Sequence, residues 1–254
     1  MQNKLWTSNS WVKAAAAVIA LLLWQLLSVI LNQRLLLVSP IKVIIRLSTI
    51  WMETDFVNII VWSSVRIVVG FFAGFISGIV LGALAGRYKM FEIFMWPYVT
   101  TVKTVPVASF IIIALIWLSS GQLSAFISFL MVFPIIYSNI LTGIKNTDIK
   151  LIQMSQVFRL TTIKKIMYIY IPQLKPYIMS SCSTALGIAW KAGIAAEIIG
   201  IPSGSIGDML YTAKIYFDTA DLFAWTAIIV IVSVVFEKMF IYLLKISYMG
   251  LEKL

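Results

Sequence analysis

The sequence predicts an all-α fold, a polytopic membrane helix bundle of about six transmembrane helices. Of its 254 residues, 61% are hydrophobic and only 12% are charged, whereas charged residues make up about a quarter of a typical soluble domain. The mean hydropathy is +0.98, and several apolar runs reach the roughly 20 residues that a helix needs to cross a bilayer. We place six such runs and no soluble domain.

The N-terminal region, 1–56, is expected to hold one transmembrane helix and an external interfacial segment. Span 1 is predicted at 11–31, and the residues before it show no small-residue cleavage signature, so we expect a retained helix rather than a signal peptide. After a Ser-Pro break, 41–51 predicts a helix that lies at the membrane interface. The remainder, 57–254, is predicted to be the core domain.

Span 2, predicted at 58–85, carries a stripe of glycines at every fourth position. Residues four apart lie on one face of a helix, and a face without side chains lets a second helix approach closely in lipid. We expect a helix-packing surface, either within the subunit or towards a partner. The stripe consists of Gly70, Gly74, Gly78, Gly82 and Gly86.

Two further spans follow, each associated with a proline. Pro97 argues against one uninterrupted helix over the moderately polar residues 90–103. Span 3 is therefore placed after it, at 105–118, with a backward extension as the alternative. Span 4 is predicted at 123–141, where Pro134 predicts a kink.

The segment 147–172 is the longest polar interruption in the chain. Asp148 is a good N-cap for a helix that begins at 149, and Thr161 or Thr162 can cap a second short helix, which Pro172 separates from the next span. The first helix has an apolar strip formed by Leu151, Met154 and Phe158. Such a pair of short helices offers apolar anchors to a groove on a soluble partner, although a helix on the lipid surface is the alternative.

Spans 5 and 6 are predicted at 174–199 and 222–244, with a segment rich in Gly, Pro and Ser at 200–221 between them. Near the inner end of span 6, Glu237 and Lys238 are adjacent. We expect them to form an interfacial ion pair rather than to provide a general base.

The distribution of Lys and Arg predicts cytoplasmic N- and C-termini. With the N-terminus inside, the inner segments hold twelve basic residues and the outer segments four, as the positive-inside rule requires. The inner residues are Lys4, Lys13, Arg87, Lys89, Lys145, Lys150, Arg159, Lys164, Lys165, Lys175, Lys245 and Lys253. The outer residues are Arg34, Lys42, Arg46 and Lys214.

Two basic residues, Arg66 and Lys191, lie within predicted spans. Charges inside a membrane are costly and indicate functional candidates. Lys191 belongs to a polar face of span 5 at helical spacing that is formed by Ser180, Thr184, Gly187 and Lys191. This face is a candidate solute pathway for an anion or a strongly polar solute. Alternatively, both basic residues snorkel or pair with Glu197 and backbone carbonyls.

No catalytic or metal-binding pattern is present. The chain contains no histidine, the commonest general base and metal ligand, and it contains no GxxxxGK[ST], HExxH, CxxC or GxSxG sequence. The single cysteine, Cys182, excludes an intramolecular disulfide. Basic cytoplasmic loops explain the net charge of +10 better than nucleic-acid binding does. We therefore expect no catalytic residue, no metal and no nucleic-acid partner.

The segment 147–172 resembles the EAA loop of permease subunits of bacterial ATP-binding-cassette importers. That family's pattern is Glu-Ala-Ala, three residues, Gly, nine residues and Ile-x-Leu-Pro. Alignment on Pro172 puts Gln153-Met154-Ser155 at the first three positions, Arg159 at the glycine and Ile169 at the isoleucine. The acid is thus an amide, both alanines are replaced, and an arginine stands where glycine would permit a turn that a side chain resists.

Three neighbouring stretches extend the resemblance to the nitrate, taurine and sulfonate branch of the family. ALGIAWKAGIAAEIIG at 185–200 resembles the helix after the loop, and TVPVASFIIIALIWLSSG at 104–121 resembles the third span. SVRIVVGFFAGFISGIVLGALAGR at 64–87 matches the arginine and glycine pattern of span 2. The likeness covers nearly the whole chain from about residue 57 onward.

The resemblance implies a MetI-like permease fold in the bacterial inner membrane, with a cytoplasmic coupling-helix loop. It implies a second permease subunit, usually another copy, two cytoplasmic ATPases that bind ATP and magnesium, and an external solute-binding protein. The coupling residues would be Gln153, Met154, Ser155, Val157, Phe158, Arg159 and Leu160. The pathway residues would be Lys191, Arg66, Ser180 and Thr184, for a small anionic or polar solute such as a sulfonate or nitrate.

Two other classes fit parts of the sequence. A stand-alone channel or secondary transporter would explain the hydrophobicity and the intramembrane charges, but we find no inverted internal repeat, and 147–172 would have no purpose. A membrane-embedded enzyme would need a catalytic constellation that the sequence does not contain.

Overall fold

The computed structural model describes residues 10–31 and 37–251, and this part of the chain is helical with short connections. The all-α prediction is confirmed. The elements in order are α1 (Ser10–Leu31), α2 (Pro40–Ile50), α3 (Phe56–Arg87), α4 (Lys89–Thr104), α5 (Val107–Ala114), α6 (Ser120–Lys145), α7 (Ile149–Val157), α8 (Thr162–Lys165), a π-helical turn (Ile166–Tyr170), α9 (Ile171–Gly200), α10 (Ile206–Ile215) and α11 (Thr219–Leu251).

The described residues contain enough long apolar helices for the expected bundle. Five helical stretches are long and apolar enough to cross a membrane, namely those of α1, α3, α6, α8 to α9, and α11. Helices α4 and α5 meet at 102° and make a sixth span when taken together. A bundle of about six transmembrane helices is thereby confirmed.

The predicted interruption at Pro97 was wrong, because α4 continues through Pro97. The break lies at Val105, which has extended backbone angles (φ −76°, ψ 133°) directly before Pro106. A proline removes one hydrogen bond from its own helix, which membrane helices tolerate, but it also disfavours the helical conformation of the preceding residue. As a result, α5 is shorter than the predicted span 3. Helix α6 is continuous through Pro134, and the kink expected there stays a prediction.

The prediction that Pro172 separates the second loop helix from span 5 was wrong. Residues Thr162–Gly200 form one continuous helical stretch, and Pro172 lies in the first turn of α9. The π-helical turn Ile166–Tyr170 comes directly before it. A proline ring clashes with the carbonyl four residues back in an α-helix, and the wider π-helical turn at that point relieves the clash.

The chain forms two compact units. The first comprises the described residues up to Val57 together with Met209–Ile228. Within it, the indole Nε1 of Trp24 donates a hydrogen bond of 3.0 Å to the Val38 carbonyl, and the Arg46 guanidinium lies 2.6 Å from an Asp221 carboxylate oxygen. The second unit comprises Asn58–Asp208 and the remainder of α11, and it holds the candidate site.

In the second unit, the glycine stripe of α3 packs against α6 of the same chain. A Cβ atom added to Gly70 would lie 2.1 Å from the Ala125 carbonyl oxygen, and one added to Gly78 would lie 2.7 Å from Ile136 Cβ. The other glycines of the stripe, Gly74, Gly82 and Gly86, face Val132, Ile140 and Ile144. Since the α6 residues also recur every fourth position, the two helices approach along matched faces.

Helix α9 packs against both α3 and α6 at Gly193. A Cβ atom on Gly193 would lie 2.7 Å from both an Ile67 side-chain carbon and the Ser128 hydroxyl oxygen. That hydroxyl donates a hydrogen bond of 3.1 Å to the Ala189 carbonyl. The three long helices α3, α6 and α9 therefore meet closely, and this junction fixes which sides of α9 stay open.

Candidate functional site

The segment between α6 and α9 has the predicted two-helix construction. The carboxylate of Asp148 accepts a hydrogen bond of 2.8 Å from the Lys150 backbone N–H, so Asp148 caps α7 as expected. Thr161 precedes α8 at the cap position, but its side chain makes no capping hydrogen bond. Helix α7 is therefore the better defined of the two.

Arg159 adopts the turn that a glycine would favour. Its φ is +48°, in the left-handed region that costs a side-chain-bearing residue about 1–2 kcal/mol. The Leu160 N–H donates to the Ser155 carbonyl at 2.9 Å, and the Arg159 N–H donates to the Gln156 carbonyl at 3.0 Å. These two bonds are those of a Schellman motif, which normally has glycine at this position. The backbone therefore makes the turn that glycine favours, with an arginine at the position where glycine is usual.

The predicted coupling residues differ in their exposure. Those exposed are Gln153, Met154, Val157, Phe158 and Arg159. Val157 is 79% exposed and Phe158 70% exposed, although both are apolar. Ser155 is buried, and its hydroxyl donates a hydrogen bond of 2.6 Å to the Ile152 carbonyl, while Leu160 is half-buried. The end of α7 thus presents an apolar surface that no other part of the described chain covers.

Ser180, Thr184 and Lys191 lie on an exposed face of α9. A Cβ atom on Gly187, which belongs to the same face, would meet nothing within 4 Å. Lys191 forms no ion pair with any residue that the structure describes. The structure thus brings three of the predicted pathway residues together on a face that the rest of the described chain leaves open.

Arg66 lies apart from that face, beside Glu197. One guanidinium nitrogen of Arg66 is 3.8 Å from a Glu197 carboxylate oxygen, and Glu197 is fully buried. Six residues turn a helix by about 240° beyond a full turn, so Glu197 points away from the side of α9 that carries Lys191. The sequence left three alternatives for Arg66, namely a place in the pathway, snorkelling, or pairing with Glu197. The structure places Arg66 beside Glu197.

The same carboxylate holds the start of α10. The Ser63 hydroxyl donates a hydrogen bond of 2.7 Å to Glu197 Oε2 and accepts one of 2.9 Å from the Ile206 N–H. The Gly207 N–H donates to Glu197 Oε2 at 3.3 Å. A Cβ atom at Gly207 would lie 2.3 Å from Glu197 Cβ, so only glycine permits this approach. A negative charge at a helix N-terminus is stabilising.

Sequence reasoning missed Ser63 and Gly207 as members of this cluster. The available signal was Glu197 itself, since a carboxylate in an apolar run has to find donors or a cation. Its partners come from a different span and from a turn ten residues later, and no spacing in the sequence connects them.

The expected ion pair between Glu237 and Lys238 is not formed. Glu237 instead accepts a hydrogen bond of 2.5 Å from the Ser183 hydroxyl on α9. Adjacent residues on a helix point about 100° apart, so one side chain turns towards α9 and the other away from it. Within the described ranges, no group of three or more Cys, Asp or Glu residues is placed to hold a metal ion.

A protein-family model described as the inner membrane component of binding-protein-dependent transport systems matches residues 78–246. The match begins within α3 and ends within α11, so it includes the α7 loop and the polar face of α9.

Three individual proteins are similar over most of their length. A nitrate import permease of Synechococcus elongatus is 30% identical over 210 residues, covering 77% of this chain and 73% of that protein. A putative aliphatic sulfonates transport permease of Bacillus subtilis is 26% identical over 196 residues, covering 76% and 70%. A taurine transport system permease of Escherichia coli is 24% identical over 241 residues, covering 91% and 87%.

Proposed function

The chain belongs to the family of inner membrane components of binding-protein-dependent transport systems, and from this premise we propose how it works. As a permease subunit of an ATP-binding-cassette importer, it pairs with a second permease, in the simplest case another copy of itself. An external binding protein delivers the solute, and a separate cytoplasmic ATPase dimer binds ATP and magnesium and drives the transport cycle.

The observation that carries this proposal is the exposed end of α7. Met154, Val157 and Phe158 are apolar, exposed and adjacent, on a short helix whose start is fixed by the Asp148 cap. An amphipathic helix of this kind binds by placing apolar anchors in a groove of its partner. We assign the ATPase contact to Gln153 through Leu160, with Phe158 as the main anchor.

Motion of this contact has a direct path into the membrane. The helical stretch Thr162–Gly200 is 39 residues long, which corresponds to about 58 Å of helix. It begins five residues after α7 and contains both the polar face of α9 and Glu197. When the ATPases close, displacement of α7 tilts this stretch as a unit and alternates the pathway between its inward-open and outward-open states.

The solute is a small anion. Lys191 provides a cation on the open face of α9 that pairs with no described residue, and the hydroxyls of Ser180 and Thr184 lie on the same face. Three similar proteins are named for nitrate, taurine and aliphatic sulfonates, which suits a cation in the pathway. Arg66 acts through Glu197 rather than by touching the solute.

The proposed orientation puts both termini and the α7 loop in the cytoplasm. It rests on the excess of basic residues in the inner segments, twelve against four. Three of these residues, Lys4, Arg34 and Lys253, lie outside the described residues, and the remaining asymmetry is still ten against three.

The test measures ATP hydrolysis and solute uptake by the reconstituted complex with Phe158→Ala. We expect both to fall together, because the anchor that transmits the ATPase stroke is removed. Ile163→Ala is the matched control, since Ile163 is an exposed apolar residue of the same loop outside 153–160, and it should retain both activities. Undiminished, fully coupled turnover by Phe158→Ala would refute the assignment.

A second measurement tests the partnership itself. The intact chain should capture its ATPase in a pull-down, and deletion of 150–165 should abolish the capture. Uptake by the permease without any ATPase would instead identify a stand-alone transporter.

A further inference from the structure

A groove on the surface of the second unit lies between α9 and α11. Its volume is about 380 Å³, within the range of small-ligand sites. The lining residues are Met179, Ser183, Glu237, Lys238, Ile241, Tyr242 and Lys245. Nothing in the transport mechanism above uses it.

One wall of the groove is cationic. Lys238, Tyr242 and Lys245 follow the spacing i, i+4, i+7 and so lie on one face of α11. The two lysines are about 10 Å apart along the helix axis, and their flexible side chains are long enough for both ammonium groups to reach one anion between them. Neither lysine takes part in an ion pair with a residue in the described ranges.

The acid in the groove does not neutralise this wall. Glu237 is bound to the Ser183 hydroxyl at 2.5 Å, and this bond holds its carboxylate against α9. Two ammonium groups therefore face the open space with one engaged carboxylate, and the groove has a net positive charge.

The position of the groove along α11 selects the type of anion. The helix has 33 residues, about 50 Å, which exceeds the roughly 30 Å thickness of the hydrocarbon core. Lys245 lies six residues before the end of α11 at Leu251, or about 9 Å. In the proposed orientation this is the cytoplasmic membrane interface, where tyrosine is enriched and lipid phosphates lie.

We propose that this groove binds the headgroup of an anionic phospholipid of the cytoplasmic leaflet. The phosphate accepts hydrogen bonds from Lys245 and the Tyr242 hydroxyl, and Lys238 extends down towards it. The acyl chains lie along Met179 and Ile241 and, deeper in the bilayer, along the exposed Val234, which precedes Lys238 by four residues on the same face of α11. Basic pockets between helices on the cytoplasmic side are suited to such headgroups. The choice of leaflet rests on the proposed orientation.

A second copy of this chain is a poorer occupant, because it has few carboxylates to offer on the inner side. The chain has only ten acidic residues. Of those that the structure describes near the proposed inner side, Glu92 already pairs with Lys89 and Lys145, Asp148 caps α7, and Glu237 is bound to Ser183. An interface here would bury two lysines with one carboxylate, that of Glu237, to balance them, and a buried charge without a partner is strongly unfavourable.

The experiment titrates the purified full-length permease with phosphatidylglycerol and scores bound lipid by native mass spectrometry. One lysine near an anionic lipid contributes about a fivefold change in affinity, so Lys238→Gln with Lys245→Gln should weaken binding about 30-fold. The control is Lys42→Gln with Lys214→Gln, which removes two charges at positions outside the groove and should leave the affinity unchanged. Phosphatidylcholine should bind equally weakly to all three proteins.

Each other outcome refutes the proposal in a defined way. Unchanged phosphatidylglycerol affinity in the groove variant rules out this site. Competition by millimolar inorganic phosphate would identify a soluble anion as the occupant, and a disulfide-linked dimer of Tyr242→Cys would identify a subunit interface. Because lipid binding is scored without the ATPase, its failure is distinct from a failure of ATPase capture, which tests the transport function.

Discussion

Replacing Gly70 by alanine should separate α3 from α6. The new Cβ would lie 2.1 Å from the Ala125 carbonyl oxygen and 2.8 Å from Ser128 Cβ. The oxygen belongs to the backbone of α6, so no rotamer change relieves the contact. To reach an ordinary carbon–oxygen separation, the helices must move apart by about 1 Å, and the neighbouring glycines then lose their own contacts with α6.

The expected loss of stability follows from two opposing effects. Overpacking a well-packed interior costs about 1–3 kcal/mol, and the upper end applies because a backbone has to move. Alanine in a helix regains about 0.5–1 kcal/mol over glycine. We therefore expect the free energy of unfolding to fall by about 2 kcal/mol, which for a chain of this length lowers Tm by about 4–8 °C.

Thermal unfolding in detergent, followed by tryptophan fluorescence, measures this effect. Gly187→Ala is the matched control, since a Cβ atom there would meet nothing within 4 Å. It should keep only the gain in helix propensity, so its Tm should equal or exceed that of the parent. A Tm for Gly70→Ala within 1 °C of the parent would refute the close packing of α3 on α6.

Three further predictions concern single residues. Arg159→Gly should raise stability by about 1 kcal/mol by removing the side chain from the left-handed conformation, whereas Arg159→Ala should give no gain in the same thermal assay. Glu197→Gln should lower the free energy of unfolding by about 1–3 kcal/mol, and Glu197→Ala by about 3–5 kcal/mol. The loss is larger for alanine because it leaves Arg66, the Ser63 hydroxyl and the Gly207 N–H without their acceptor. Lys191→Ala should lower uptake of an anionic solute while assembly with the ATPase stays intact, and Lys191→Arg should retain uptake.

Each of these has an outcome that would overturn it. Equal Tm values for Arg159→Gly and Arg159→Ala would mean that the turn carries no strain. Identical losses for the two Glu197 variants would mean that the donors at α10 find other acceptors. Equal uptake by parent and Lys191→Ala would remove Lys191 from the pathway.

Local patterns of the sequence determined the membrane class and most helix positions. Apolar runs about 20 residues long define spans wherever they occur, since an unpaired backbone group in lipid costs several kcal/mol. The Asp148 cap and the start of α7 were also predictable, because a cap depends on residues within one turn. The resemblance of 147–172 and its surroundings identified the family.

The prolines show where local rules were insufficient. Pro97, Pro106 and Pro172 are the same residue in similar apolar surroundings, yet only at Pro106 does the helix break. Whether a proline breaks a helix depends on what the adjacent backbone can do, such as the π-helical turn before Pro172, and the amino-acid pattern does not encode that choice.

The sequence by itself determined that this chain is a membrane bundle with a polar loop at 147–172, that span 2 has a glycine face, and that span 5 has a polar one. Only the tertiary structure decided that the glycine face packs on α6, that Arg66 meets Glu197 while Lys191 stays exposed, and that Ser183 rather than Lys238 binds Glu237. Periodicity specifies which residues share a face of one helix, whereas the partner of that face depends on contacts between segments far apart in the chain.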